Sequence, residues 1–329
     1  ARTRAVAARA QVLAGKKQTL MRESAACFGM VPPHFSEAHF RKRRQQLEQA
    51  LPGRGELTAR LAAFDDEFRV GRERLREVLR ETLHELRRRT RRCFTLPPYE
   101  QCELDYVADQ PWESYYSYRG GAHSVIQVNT DRSLPLAAVI PLLAGAGYPG
   151  RHTRFCRAES DWYRQRGWVE HSIELMYSPR TGMTVALAEA AAGVVLPGAE
   201  RLDFERRFLG PLAGFVPQQL ERFQAVQAAR DGLVAEAVCA AARQLLDRKL
   251  NIPQAIPWLA AAAVLTREQA ALKLGFIEHF RSYAALAATG RLLVERWLAR
   301  RGGGPGQPRQ RWSQYAALLA EPVLPGELT

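Results

Sequence analysis

The side chains that could perform chemistry in this 329-residue chain include seven histidines and five cysteines. No His-Glu-x-x-His sequence occurs, although His84-Glu85 begins one. The cysteines are scattered, with no Cys-x-x-Cys pair, which argues against a zinc ribbon and favours a reducing compartment. There is also no Gly-x-Ser-x-Gly elbow, P-loop or dinucleotide-binding glycine motif. A conventional hydrolase or nucleotide site is therefore not expected.

One local cluster of potential metal ligands consists of Glu170, His171 and Glu174. The segment 170–177 is predicted to be helical, which would place the two glutamates on one face with His171 beside it. A solvated or salt-bridged helix face is the simpler interpretation. The alternative is that these side chains bind a metal ion, or hydrogen-bond to the residues that do.

The elements that must position such groups are predicted to be mostly helical. Leu75, Val78, Leu79, Leu83 and Leu86 recur at spacings of three and four, which is typical of a helix with one buried face. After residue 135, helical patterns return, with a break expected at the Tyr-Pro-Gly sequence 148–150.

Residues 96–135 have a different pattern. Alternation at 103–107 and β-branched residues at 125–130 predict two strands of a small sheet. We therefore predict a single mostly α domain over residues 1–329. It would comprise a helical segment (1–95), a β-containing insert (96–135) and a second helical segment (136–329).

Several segments together resemble a bacterial family of helical, zinc-metallopeptidase-like proteins of unknown function. The family signature is His-Glu-x-Tyr-Pro-Gly-His-His, followed downstream by Ser-Pro, five residues and Glu-Gly. The matching segments here are 145–152 and 178–186, with further counterparts at 115–118, 124–131 and 279–283. The resemblance, which runs from about residue 10 to 320, implies a zincin-like helical architecture with a small β-sheet beside the cleft.

The metal ligands implied by the resemblance are replaced in this chain. The motif His-Glu falls on Gly145 and Ala146, the first histidine of the closing pair on Arg151, and the downstream glutamate on Val185; only His152 remains. Catalytic zinc needs three protein ligands and a nearby base, which these side chains do not supply. We therefore expect no metal, no cofactor and no catalytic residue of the family type, and we interpret His152 as a hydrogen-bonded relic.

The former cleft remains the best candidate for a pocket. If the family fold holds, Tyr115, Tyr116, Tyr118 and Tyr148 are expected near it, with His152 and Arg281 as cationic neighbours. The alternative is that several of these tyrosines pack in the core or against the sheet. Such phenols beside cationic groups could bind a peptide or a small anionic ligand.

Arg151 carries a permanent charge where the family has a histidine. A buried guanidinium needs a partner, so we expect it to point into the cleft and pair with Glu174 or Glu189. An outward, solvated side chain is the alternative.

The net charge of +13 suggests anionic partners at first sight, but only five of 47 basic residues are lysine. That bias is typical of a GC-rich genome. The arginine runs at 41–44 and 87–92 have acidic neighbours on predicted helices, so solvated faces are favoured over a phosphate-binding surface and nucleic acid is an unlikely partner. No apolar stretch reaches the roughly 20 residues of a membrane helix, and we expect a cytoplasmic protein without membrane association.

Together these patterns predict a catalytically degenerate metallopeptidase-like protein that serves as a binding or accessory protein through the old cleft. The alternative is an enzyme repurposed for metal-free chemistry in the same cleft, for example in a biosynthetic pathway. A nucleic-acid binder is the third possibility. The residues do not indicate the ligand or the oligomeric state.

Overall fold

Sixteen α-helices and one three-stranded sheet form the described part of the chain, residues 2–110, 112–131 and 133–328 of a computed structural model. This confirms the prediction of a mostly α protein with a small sheet. Five helices precede the sheet: α1 (Arg2–Leu13), α2 (Leu20–Phe28), α3 (Glu37–Ala50), α4 (Leu57–Glu67) and α5 (Arg72–Cys93).

Eleven helices follow the sheet. They are α6 (Leu136–Ala146), α7 (Arg151–Arg157), α8 (Pro179–Val195), α9 (Ala199–Phe204), α10 (Gly210–Ala213), α11 (Pro217–Arg230), α12 (Leu233–Leu246), α13 (Ile252–Ala263), α14 (Arg267–Phe280), α15 (Leu286–Arg300) and α16 (Pro308–Ala320). Two π-helical segments, Ala158–Gln165 and Glu205–Leu209, continue α7 and α9.

The sheet has the spatial order β1-β3-β2, formed by β1 (Gln101–Val107), β2 (Ser114–Gly120) and β3 (His123–Asn129). The central strand β3 runs parallel to β1 and antiparallel to β2. Its alternate residues Ser124, Ile126 and Val128 are buried, because successive side chains of a strand point to opposite faces. The inner face of β3 therefore presents the hydroxyl of Ser124 beside the apolar Ile126 and Val128.

Both predicted strands are confirmed, as β1 and β3, whereas β2 was not predicted. In β2, tyrosines occupy both faces: Tyr116 pairs with Ile126 on the inner face, while Tyr115 lies on the other. The usual alternation of polar and apolar residues is thus absent from the sequence of this strand.

The predicted apolar stripe of α5 is confirmed. Leu75, Val78, Leu79, Leu83 and Leu86 are all buried, while the arginines and glutamates between them cover the outer face. This stripe packs into the hydrophobic core that most of the helices share, and it fixes which arginines of α5 face the sheet.

The Tyr-Pro-Gly sequence forms the turn between α6 and α7. Helix α6 ends at Ala146, the Tyr148–Pro149 peptide is cis, and the amide of Gly150 donates to the carbonyl oxygen of Ala144 at 2.9 Å. Tyr148 and His152 lie on either side of this turn, four residues apart, and both contact Glu100, the residue before β1.

Helix α8 lies between α6 and α15 at very short range. A Cβ atom at Gly145 would lie 3.2 Å from the backbone oxygen of Ala188, and one at Gly290 would lie 2.6 Å from the Cα atom of Ala186. Glycine is therefore needed at position 290, a side chain at position 145 would be tightly packed, and little volume separates the helices.

The predicted helix over 170–177 is wrong. Only Val169–Ser172 forms a turn of 3₁₀-helix, after Gly167 with a positive φ of 68°. Ser178 then caps α8 by accepting a hydrogen bond from the amide of Thr181. Residues 173–178 thus form no helix, and α8 begins only at Pro179.

No single helix among the described residues is long and apolar enough to cross a membrane. The pair Pro179–Val195 and Ala199–Ala213, bent by 71° at its break, meets the length and composition criteria only when taken together.

Candidate functional site

A cavity of about 310 Å³ lies between the sheet and the helices that flank the Tyr-Pro-Gly turn, and we call it the motif pocket. Strands β2 and β3 supply one wall, and α6, α7 and α8 supply the others. It is lined by Ser114, Tyr115, Tyr116, Ile126, Pro141, Leu142, Gly145, Ala146, Arg151, Ala188, Glu189 and Ala192. Gly145, Ala146 and Arg151 thus border one cavity, while Val185 is buried in α8.

Arg151 and Glu189 are the two charged side chains of the motif pocket. No ion pair within 4 Å joins them or engages either with another described residue. They nevertheless lie near each other: the surrounding protein raises the pKa of Glu189 by desolvation, and the positive charges of Arg151 and Arg291 oppose that rise. Arg151 therefore borders the motif pocket, but the predicted direct ion pair does not form. The other candidate, Glu174, pairs with Arg180 at 3.5 Å.

Behind the pocket, His152 is fully buried and hydrogen-bonded on both ring nitrogens. Its Nε2 lies 2.9 Å from Oε2 of Glu100, and its Nδ1 lies 2.7 Å from Oγ of Ser124. Ser124 Oγ also contacts the phenol oxygen of Tyr116 at 3.0 Å. Tyr148 donates to the same Glu100 oxygen as His152.

The charge states of this network follow from its contacts. Burial lowers the pKa of His152 despite the neighbouring Glu100, so the ring is neutral at neutral pH. Burial alone would raise the pKa of Glu100, but hydrogen bonds from His152, Tyr148 and Arg87 outweigh it and lower that pKa. The carboxylate can only accept, so Nε2 carries the proton, Ser124 donates to Nδ1, and Tyr116 donates to Ser124.

The contacts Ser124–His152–Glu100 have the composition of a Ser-His-acid triad, but not its accessibility. Ser124 and His152 are 0% exposed and Glu100 is 1% exposed, so no substrate carbonyl can reach Ser124. Cys156 lies 3.4 Å from Nε2 of His152, and burial raises the pKa of its thiol well above the usual range. In this state neither Ser124 nor Cys156 is an activated nucleophile.

A second cavity, of about 490 Å³, lies between α5 and the start of β1, and we call it the α5 cavity. Its lining includes Arg80, His84, Arg87, Glu100 and Tyr148. Since Tyr116 lines the motif pocket and Glu100 lines the α5 cavity, the hydrogen-bonded series Tyr116–Ser124–His152–Glu100 connects the two cavities.

On the α5 side, two arginines share the Glu100 carboxylate. Arg87 Nε lies 2.7 Å and Arg91 Nη2 lies 3.1 Å from Oε1, and Arg87 also donates to the backbone oxygen of Glu100 at 3.1 Å. Both oxygens of this buried carboxylate are therefore satisfied, one by arginines and the other by His152 and Tyr148.

The five predicted pocket residues are not all in one place. Tyr115 lines the motif pocket, and Tyr148 lines the α5 cavity. The Tyr118 hydroxyl donates to Glu159 at 2.5 Å, and Arg281 pairs with Glu23 on α2 at 2.7 Å. Tyr118 and Arg281 line neither cavity, while buried His152 lies between the two.

Sequence reasoning missed Glu100 and Ser124. The only signal was indirect: Glu100 closely follows the arginine-rich end of α5, and it is the one acid between the Pro-Pro sequence at 97–98 and β1. Its partners are 13 and 52 residues away along the chain.

Among the residues that the structure describes, no group of three or more histidine, cysteine, aspartate or glutamate side chains is arranged to hold a metal ion. His171, a member of the predicted cluster, belongs to no such group. Desolvation, with the charges of Arg180 and Arg2, lowers the pKa of its imidazole to about 4. Glu174, a further member of the suggested cluster, accepts a hydrogen bond from Thr181 at 3.2 Å.

The arginine run on α5 is largely engaged within the protein. Arg88 and Arg89 both bond to Glu85, at 2.6 and 2.8 Å, and Arg89 also bonds to Glu200 at 2.9 Å. With Arg87 and Arg91 on Glu100, four guanidinium groups of the run have acidic partners, which weakens the case for a phosphate-binding surface.

No family model matches this chain, and no curated protein matches it. Among solved structures, the crystal structure of the "putative lipoprotein from Colwellia psychrerythraea" is similar, with a TM-score of 0.61 and 14% identity. The match covers 88% of this chain and 49% of that one, so this chain spans about half the length of that neighbour. At this identity the similarity establishes a shared fold.

Proposed function

We propose that this protein is a catalytically degenerate, metallopeptidase-like binding protein that holds a small molecule or peptide in the motif pocket. The observation that carries the proposal is the motif pocket itself, a cavity at the replaced motif positions with two charged side chains, Arg151 and Glu189, that form no ion pair with each other. A zincin-like ancestry of the fold belongs to the same proposal. The mostly helical architecture with a sheet beside the pocket supports it.

Packing around the former metal position also supports loss of the metal chemistry. The space beside Gly145 is limited by the backbone of Ala188, and Val185 is buried within α8. Arg151 adds a fixed positive charge at the same place, which disfavours a divalent cation. The pocket is therefore suited to an organic ligand better than to a metal ion.

The protein is expected to bind no stoichiometric zinc, and the double variant Gly145→His/Ala146→Glu is expected to gain neither zinc nor peptidase activity. The new imidazole would meet the Ala188 carbonyl, and both Arg151 and Val185 would remain. Elemental analysis and metal-dependent peptide hydrolysis measure the two outcomes. Ala146→Glu alone is the control for the effect of the added carboxylate on folding.

Two results would contradict this account: metal-dependent hydrolysis by the double variant, or about one tightly held zinc per chain that is lost when His152 is replaced.

Binding in the motif pocket can be tested by a fragment screen with methyl-labelled protein. Fragments that shift the methyl resonances of Ile126 and Leu142 are expected, and Ala192→Phe, which fills the pocket, should weaken their binding at least tenfold. Ala59→Phe, on the exposed side of α4, is the matched control. A screen without such fragments, or binding unaffected by Ala192→Phe, would reject the proposal.

A second function, metal-free acid–base chemistry, is favoured by one observation. The series Tyr116–Ser124–His152–Glu100 is oriented so that the Tyr116 oxygen can accept a proton from a bound molecule while protons move inward to the neutral His152. Mass spectrometry of the same incubations distinguishes the two functions, since conversion of a ligand that stops in Tyr116→Phe would indicate an enzyme.

A further inference from the structure

The chemistry of the motif pocket is defined by an open pair of opposite charges. Arg151 and Glu189 both line it, and each lacks an ion-pair partner within 4 Å among the described residues. Their charges still interact, since Arg151 opposes the desolvation that raises the pKa of Glu189. The two groups thus face one cavity, from α7 and from the exposed side of α8, without an ion pair between them.

The other cation near Glu189 is already engaged. Arg291 of α15 makes a paired contact with Asp231, with Nη1 lying 3.0 Å from Oδ1. Tyr116, which also lines the pocket, donates its hydroxyl proton to Ser124 and so offers only acceptor capacity. Glu189 and Tyr116 are therefore acceptors that lack a donor, and Arg151 is a donor that lacks an acceptor.

The remaining walls are apolar. Ile126, Pro141 and Leu142 lie on one side, and Ala188 and Ala192 of α8 lie on the other. A volume of about 310 Å³ is at the small end for ligand pockets, so the occupant is a small molecule with one modest apolar group.

We infer that the motif pocket binds a zwitterion of the amino-acid class, with its carboxylate on Arg151, its ammonium on Glu189 and an apolar side chain against α8 and β3. This inference rests on the proposed function. Guanidinium binds carboxylate through two parallel hydrogen bonds, and an ammonium supplies the donors that Glu189 lacks. A ligand with only one of these charges would engage one of the two side chains, whereas a zwitterion engages both.

The inference can be tested with matched probes: leucine, valine and phenylalanine, each compared with its N-acetyl form, which lacks the ammonium, and its amide, which lacks the carboxylate. Titrations followed by methyl NMR should show at least one free amino acid binding tenfold or more tightly than both derivatives. Arg151→Gln should abolish the preference over the amide, and Glu189→Gln should abolish the preference over the N-acetyl form. The exposed substitutions Arg309→Gln and Glu268→Gln are the charge-matched controls and should change neither preference.

Equal binding of the free and derivatised forms, or no binding of any form, would overturn the inference. The proposed function fails separately, because it depends on the fragment screen and on Ala192→Phe. Fragments that occupy the motif pocket while the amino acids show no preference would leave the binding function intact and refute its zwitterionic specificity.

Discussion

Glu100→Gln is expected to lower the free energy of unfolding by about 3 kcal/mol or more. The carboxylate is buried and accepts from Arg87 and Arg91 on one oxygen and from His152 and Tyr148 on the other. A neutral amide removes the anionic partner of Arg87 and Arg91. Its NH₂ group would face either these obligate donors, or His152 and Tyr148, which could accept from it only if the proton positions of the network reversed. Urea denaturation monitored by circular dichroism measures the loss.

Glu103→Gln is the matched control, because Glu103 lies three residues further along, is largely exposed and contacts only His123 at 3.4 Å. Its replacement should change stability by no more than about 0.5 kcal/mol. If the two variants were equally stable, the hydrogen bonds of the buried Glu100 carboxylate would contribute nothing to the stability of the fold.

The pH dependence of the same variants gives an independent check. The folded pKa of Glu100 is lowered, so its stabilisation is present above its unfolded pKa of about 4.3 and is lost as the pH falls through the folded value. The pKa of His152 is also lowered, so the unfolded state takes up a proton first and stability falls as the pH drops below about 6.5. The difference between wild type and Glu100→Gln should therefore shrink in acid.

Helices and strands with a regular hydrophobic period could be predicted from the sequence. The buried network around Glu100 and His152 could not. The stripe of α5 and the β-branched run of β3 are local patterns, and both positions were correct. Glu100 is a single charged residue whose partners lie on α5 and α7, so only the tertiary packing shows that it is buried.

The Tyr-Pro-Gly resemblance carried information of two kinds. Three positions that it singled out, Gly145, Ala146 and Arg151, border one cavity. It also placed Tyr148 and His152 near the same cleft, whereas the turn directs both toward Glu100, on the side of the α5 cavity. The sequence therefore shows that Tyr148 and His152 lie close to Gly145, Ala146 and Arg151 along the chain. It does not show the direction of their side chains, which depends on the backbone of residues 147–151.

The largest effect is expected at that turn, where Gly150→Ala should destabilise the protein by at least about 4 kcal/mol or prevent folding. A Cβ atom at Gly150 would lie closer than 3.0 Å to the carbonyl oxygens of Gly145 and Ala144, which belong to α6 and cannot move without breaking the hydrogen bond from the Gly150 amide.

Gly275→Ala in α14 is the control: nothing lies within 4 Å of its Cβ position, and alanine should stabilise this exposed helix by about 0.5–1 kcal/mol. Thermal and urea unfolding of both variants, with soluble yield as a third measure, decide the matter. A Gly150→Ala protein as stable as wild type would show that the turn does not fix the positions of Tyr148 and His152.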